Sequence, residues 1–229
     1  MNICHEFSRS ASHYSQFSAI QKAVAQELVA LTPHSSRTIL DLGCGDGLVY
    51  SSIDWEFERF VGIDFASTML QYHPKEAKVE LRLGDFNDPA LFDRLKNEHY
   101  DRIYSSSALQ WADDLALTLF RLSQLHTPVS LAIFTSGTFK TLYEYAHLSP
   151  LLKSAQEIIQ LSNSFFDAHT KILHYSLEFK NAREMFAYIK RSGVSGGKKM
   201  LNITQMRQLM RDYPSPFVLE FEILLLSSR

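Results

Sequence analysis

A chain of 229 residues with 45% hydrophobic content and a formal net charge of −2 has the make-up of one globular domain with a full core. That balance excludes a general nucleic-acid binder, which would carry a basic excess. The two cysteines, Cys4 and Cys44, form neither a disulfide framework nor a metal-ligand spacing, and the nine histidines are scattered singly, so no metal is expected. There is no membrane-length apolar run and no charged segment leading into an apolar one at the start, which points to a cytoplasmic protein without membrane contact.

Residues 5–32 read as a polar entry followed by a helix, with Ile20, Ala23, Val24, Glu27, Leu28 and Leu31 at helical spacing and Pro33 ending the pattern. The apolar run Ile39-Leu40 then leads through Asp41-Leu42 into Gly43-Cys44-Gly45-Asp46-Gly47. This is the pattern of a buried strand that breaks into a glycine turn, where backbone lacking Cβ can approach a ligand closely. The Gly-x-Gly-x-Gly spacing differs from the Gly-x-Gly-x-x-Gly dinucleotide fingerprint. Leu48 to Ile53 fits a short helix, as does Thr68 to Tyr72 with Ser67 as its cap.

Three more strand-like runs follow at regular intervals. Phe60-Val61-Gly62-Ile63 ends in Asp64, Val79 to Leu83 leads through Gly84 to Asp85 and Phe86, and Tyr100 to Ser107 enters a polar turn. Each acid alone could equally cap a helix. Recurring in order at strand ends, the set instead suggests a ligand crevice outside the carboxyl ends of a parallel sheet. Ala108 to Leu125 presents Leu109, Leu115, Leu119, Leu122 and Leu125 as one buried helical face, and Val129 to Thr135 is a fifth strand. Residues 138–175 read as helical and aromatic, an insertion covering the site. Ser176 to Phe179, Ala182 to Ser192, Thr204 to Asp212 and Phe217 to Leu226 complete an alternation of strand, helix, helix and strand. One domain over 1–229 is expected, with residues 1–34 as an N-terminal helical segment.

The glycine run and the acids after it resemble the motifs of class I S-adenosylmethionine (SAM) methyltransferases. The resemblance implies an α/β, Rossmann-like, doubly wound and mostly parallel seven-stranded sheet. It also implies SAM as cofactor, with S-adenosylhomocysteine as product, bound by Gly43, Cys44, Gly45, Gly47, Asp64, Phe65, Met69, Asp85, Phe86 and Ser105. In that reading the acid ending the second strand takes the ribose hydroxyls, and Asp85 lies near the adenine amino group.

Within this superfamily the chain resembles the malonyl-ACP (acyl carrier protein) O-methyltransferases of biotin synthesis. The likeness rests on Phe7-Ser8-Arg9-Ser10-Ala11-Ser12-His13-Tyr14 followed by Gln21, on Ser105-Ser106-Ser107-Ala108-Leu109-Gln110-Trp111, on Asn163-Ser164-Phe165, and on the run from Met185 to Val194. It departs from the family at Leu125-His126-Thr127-Pro128, where a K-P-G-G turn is usual, and in a short loop between Gly193 and Leu201. The resemblance implies methylation of a free carboxylate on malonyl-ACP or malonyl-CoA, with Arg9, Tyr14, Gln110 and Trp111 at the reacting groups and Lys140 and Arg191 as secondary acyl contacts. Eight basic residues between Lys180 and Arg211, against only Glu184, offer a face for an acidic carrier protein. Other readings are a carboxyl methyltransferase for a small free acid of the trans-aconitate type, and a non-catalytic SAM-fold binding protein. A nucleic-acid methyltransferase is disfavoured because no N-P-P-Y-type tetrapeptide follows the fourth strand.

Overall fold

The computed structural model describes residues 19–32, 34–192 and 203–229, without the side chains at positions 190–192, 203 and 206. Within them lie strands β1 (Thr38–Leu42), β2 (Arg59–Asp64), β3 (Val79–Leu83), β4 (Arg102–Ser106), β5 (Val129–Phe134), β6 (Ala168–Phe179) and β7 (Phe217–Ser228). They form one sheet in the order β3-β2-β1-β4-β5-β7-β6. The first five pair in parallel, and β7 runs antiparallel to both β5 and β6. β1, β2, β4 and β5 are buried at nearly every position, as the central strands of a sheet covered on both faces must be.

The helices are α1 (Ala19–Ala30), α2 (Ser67–Tyr72), α3 (Pro89–Leu95), α4 (Leu115–Ser123), α5 (Lys140–Tyr145), α6 (Ala155–Ser162), α7 (Ala182–Ser192) and α8 (Ile203–Asp212). One face of the sheet packs α1 through Val24, Ala25 and Leu28, together with Met185 of α7 and Leu209 of α8. The other packs Leu91, Phe92 and Leu95 of α3, Leu115, Leu119 and Leu122 of α4, and Ile158 of α6. This is the doubly wound arrangement the sequence implies. Truncating a fully buried member such as Leu28 or Leu119 to alanine removes about 2–5 kcal/mol of stability.

Four elements differ from the sequence expectation. The helix expected over Ala108 to Leu125 is split: a 3-10 turn at Leu109–Trp111 is followed by an extended stretch, and α4 starts anew with Asp114 as its cap. The Asp114 carboxylate accepts the Leu117 N–H at 3.0 Å, and the Asp113 N–H donates to Asn87 Oδ1 at 2.9 Å, so the Asp114 and Asn87 side chains hold the chain out of a continuous helix. Leu48 to Ile53 makes only a 3-10 turn over Tyr50–Ser52, because Ile53 is already extended. Ser67 is the first residue of α2 and not its cap; the preceding Ala66 N–H is held by Asp64 Oδ1 at 2.8 Å. Finally, the segment read as a helical insertion to 175 is helical only through α5 and α6. From Ala168 it is already strand, because β6 pairs with β7 along its whole length, from Ala168 opposite Ser228 to Phe179 opposite Phe217.

Candidate active site

The strand order reverses between β1 and β4, which opens a crevice outside the carboxyl ends of the central strands. A cleft of about 640 Å³, counting the space open to solvent, lies there. Its wall is built from the end of β1 (Asp41, Gly43, Cys44, Gly45, Asp46), the end of β2 (Asp64, Phe65), Met69 of α2, Phe86, and the turn after β4 (Ser106, Ser107, Ala108, Trp111). Gln21 of α1 and the Leu48-Val49 pair close another side.

Local bonding fixes the glycine turn. The N–H groups of Gly43 and Cys44 both donate to the Ile63 carbonyl, at 2.8 and 3.0 Å, tying the turn to β2. Gly43, Gly45 and Gly47 all have positive φ, at 80°, 53° and 91°. At Gly43 a Cβ would lie 2.4 Å from that of Ala108, so the absence of a side chain is what lets the turns after β1 and β4 approach each other. At Gly45 a Cβ would meet nothing nearer than Met69 Cε at 3.4 Å. That glycine leaves ligand-sized space next to the backbone.

The electrostatics of the cleft are one-sided. Asp41, Asp46 and Asp64 line it, and no lysine, arginine or histidine does among the described residues. The Asp64 carboxylate receives the Gly45 N–H at 2.9 Å and the Ala66 N–H at 2.8 Å, one on each oxygen. Each oxygen keeps a lone pair for a further donor. Burial raises its pKa despite those two bonds. Asp41 is more extreme: it is 1% exposed and neither carboxylate oxygen has a hydrogen-bond partner. Burial, reinforced by the nearby Asp64 charge, drives its pKa well above the usual carboxylate range. Gln21 Oε1 is likewise buried and unbonded. Buried acceptors without donors are costly, and here they lie in the wall of one cleft.

Of the residues singled out from sequence, Gly43, Cys44, Gly45, Asp64, Phe65, Met69, Phe86 and Trp111 are brought together on this wall. Four are not. Ser105 is fully buried and its hydroxyl donates to the Leu42 carbonyl at 2.6 Å, joining β4 to β1 below the cleft. Gly47 packs from behind against His73 and Pro74. His73 is itself buried, donates from Nδ1 to the Pro74 carbonyl at 2.8 Å and is held neutral by desolvation. Asp85 is exposed, with one oxygen accepting the Asn87 N–H at 2.8 Å. Gln110 turns its amide back onto the Ser107 carbonyl at 2.6 Å. Arg9 and Tyr14 lie outside the described residues. Lys140 opens α5, largely exposed and 4.0 Å from Glu144, and the Arg191 side chain is not described. Sequence reading passed over Gln21, Asp41, Ser106 and Ser107 as site residues. An acid between two leucines of an apolar strand was the available signal for Asp41.

Residues 39–128, which include the glycine turn and the wall after β4, match a methyltransferase-domain family. Most of the chain aligns with malonyl-[acyl-carrier protein] O-methyltransferases. One from Acetivibrio thermocellus is 27% identical over 92% of this chain and 85% of its own length. One from Bacillus cytotoxicus is 24% identical over 95% and 85%. The fold superposes on a SAM-dependent methyltransferase from Thermotoga maritima with a TM-score of 0.59 at 14% identity, covering 99% of each chain. A protein of Bacillus halodurans assigned as a methyltransferase gives a TM-score of 0.66 at 11% identity, covering 90% of this chain and 98% of the other. The chain carries a methyltransferase domain and shares the fold of SAM-dependent methyltransferases.

The cleft of this methyltransferase fits the cofactor that these similarities imply. SAM carries a sulfonium and an ammonium against one carboxylate, so it is a net cation, and three acids on one wall suit it. The unbonded oxygens of Asp41 and Gln21 match ammonium donors, and Phe65, Met69 and Phe86 provide apolar surface for an adenine ring. Among the described residues no helix is long and apolar enough to cross a membrane, and no group of metal-ligating side chains is assembled.

Proposed function

We propose that this methyltransferase esterifies the free carboxylate of malonyl-ACP in the cytoplasm, an early step of biotin synthesis. The observation that supports the substrate is the alignment with malonyl-[acyl-carrier protein] O-methyltransferases over 92 and 95% of the chain, well beyond the SAM-binding half. Bound SAM supplies an electrophilic methyl group whose leaving group is a neutral thioether. The acceptor carboxylate has an ordinary pKa near 4 and is ionised at neutral pH, so no general base is required. The enzyme's task is then to hold two reactants in line and keep water out.

In this reading Asp64 takes the ribose hydroxyls on its remaining lone pairs, and Asp41 with Gln21 receives the cofactor ammonium. Phe65, Met69 and Phe86 surround the adenine, and Asp85, exposed just before Phe86, is the candidate for its amino group. Trp111, half-buried on the wall after β4, borders the acceptor, with Gln110 positioning the Ser107 carbonyl beside it. Arg9 and Tyr14 are the N-terminal candidates for closing the acceptor pocket. The decisive experiment is mass spectrometry of malonyl-ACP after incubation with the protein and SAM, with malonyl-CoA and trans-aconitate in parallel. A methyl ester formed fastest on malonyl-ACP is expected; methylation of the free acid alone would overturn the substrate.

The carrier is assigned to the face of α7 and α8. Lys180, Arg183, Arg207 and Arg211 are exposed there, and none of the four forms an ion pair with a described residue. Lys198 and Lys199 fall outside the described residues. An acidic partner would be steered to such a surface mainly through its association rate. Reversing Arg183 and Arg207 to glutamate is expected to raise the KM for malonyl-ACP roughly 3- to 10-fold at low salt, fading as salt screens it, and to leave malonyl-CoA unchanged. Equal effects on both thioesters would remove the docking assignment.

A further inference from the structure

The turn after β4 places two unbonded hydroxyls against the cleft. Ser106 and Ser107 both line it beside Ala108 and Trp111. Their Oγ atoms are buried, and neither has a hydrogen-bond partner. Ser107 also has φ +59°, in the left-handed region that a residue with a side chain enters only at a cost. Two bonds hold it there: its N–H donates to the Ala132 carbonyl at 2.9 Å, and its own carbonyl accepts the Gln110 amide at 2.6 Å. Backbone and neighbours are therefore committed, while both hydroxyls are left over. Turning either hydroxyl toward a bound substrate would take a change between staggered χ1 rotamers.

The charge pattern says what such donors are for. Every ionisable side chain on the described wall is an acid or the Cys44 thiol, so an approaching anion finds no cation there. Ser106 and Ser107 share the lining of the cleft with Asp64, Met69 and Trp111. A neutral O–H can orient a carboxylate through a hydrogen bond without the full Coulomb attraction of a lysine or arginine. A tight ion pair would stabilise the nucleophile before reaction as much as during it, and would gain no rate. The neighbouring Ser105 hydroxyl is already bonded to the Leu42 carbonyl, which marks the next two as different in kind.

We propose that Ser106 and Ser107 are the donors that hold the acceptor carboxylate for in-line attack. The assignment rests on the reading of the substrate as a carboxylate. One carboxylate oxygen stays on the hydroxyls while the other forms the new bond to the methyl carbon. The carbon–sulfur bond breaks with its electron pair left on sulfur, and no proton moves.

The test uses Ser106→Ala, Ser107→Ala and Ser107→Gly in the full chain. Initial rates on malonyl-ACP and malonyl-CoA are read by mass spectrometry, and SAM affinity by calorimetry. Loss of one hydrogen bond to a charged group is expected to lower kcat/KM by roughly 10- to 100-fold on both thioesters. SAM affinity is expected to stay within about two-fold, since the bond is made to the other reactant. The glycine variant separates side chain from backbone, because it keeps the left-handed turn without strain and lacks the hydroxyl. Wild-type rates in Ser107→Gly together with Ser106→Ala overturn the assignment. So does a loss of SAM affinity equal to the loss of rate, which would give the hydroxyls to the cofactor. Wild-type enzyme that methylates neither thioester nor trans-aconitate overturns the carboxylate reading itself, and this assignment with it.

Discussion

Asp41→Asn is expected to weaken SAM binding by roughly 10- to 100-fold, the value of a charge-assisted hydrogen bond in a buried site. In the same step it should stabilise the cofactor-free protein at alkaline pH. Both effects follow from a carboxylate that is 1% exposed with neither oxygen bonded. Burial and the adjacent Asp64 raise its pKa well above the ordinary value, so the charged form is the unfavourable one in the free enzyme. For a group whose folded pKa is raised, the contribution to stability is fully present below the unfolded pKa and is lost as pH rises through the folded pKa. The melting-temperature advantage of Asp41→Asn should therefore grow with pH and close toward acid. A gain of about 1 kcal/mol corresponds to roughly 2–4 °C in a chain of this size. Affinity runs the other way. A cation prefers ionised Asp41, so SAM binding to the wild type should weaken as pH falls through the raised pKa, while the asparagine variant stays flat. Below that pKa, binding should also release a proton, visible as a calorimetric enthalpy that depends on the buffer's ionisation heat. Equal affinities and parallel pH profiles would exclude Asp41 as the cationic subsite.

How much of this was legible before the structure depends on what each residue's neighbours in sequence reveal. Where an apolar run breaks into glycines or ends in an acid, the strand, its end and its place beside a ligand crevice can all be read together. Asp64, Phe65, Met69 and Phe86 accordingly meet on one wall. The turn after β4 was harder, because three serines in a row look alike. Only the register of β4 against β1 decides that the Ser105 hydroxyl meets the Leu42 carbonyl while Ser106 and Ser107 line the cleft. Helix α4 was overextended because leucines at helical spacing continue through Leu109, while the break comes from the Asp113 N–H held by Asn87 Oδ1 and from the Asp114 carboxylate capping Leu117. β6 was shortened for a related reason. Its core-facing Leu173, Tyr175, Leu177 and Phe179 alternate with polar residues, but nothing local announces the partner β7, which lies some forty residues further along the chain. At β6 the long-range pairing with β7 overrode the local pattern.

Gly43→Ala is expected to be the most damaging single methyl group that can be added to this chain. Two penalties meet at that position. The backbone has φ +80°, which costs a residue with a Cβ about 1–2 kcal/mol. The new methyl would also lie 2.4 Å from the Cβ of Ala108, so one of the two turns must move. Overpacking of that kind adds about 1–3 kcal/mol. Because the Gly43 and Cys44 N–H groups are pinned to the Ile63 carbonyl, the displacement has to be taken up by the turns that form the cleft mouth. Loss of SAM binding by more than about 100-fold should accompany the loss of stability, since misplacing a positioning surface by an ångström costs on that scale. Gly45→Ala is the control: its backbone is also left-handed, but its Cβ would stand 3.4 Å from the flexible end of Met69. It should lose only the conformational part in stability. The clash itself is tested by pairing Gly43→Ala with Ala108→Gly, which removes the opposing methyl and leaves φ untouched. A coupling of about 1–3 kcal/mol in chemical denaturation, with partial recovery of SAM affinity, is expected for residues in contact. Strict additivity of the two substitutions would mean that the turns after β1 and β4 do not meet at this point, and that the glycine is required for its dihedral angle alone.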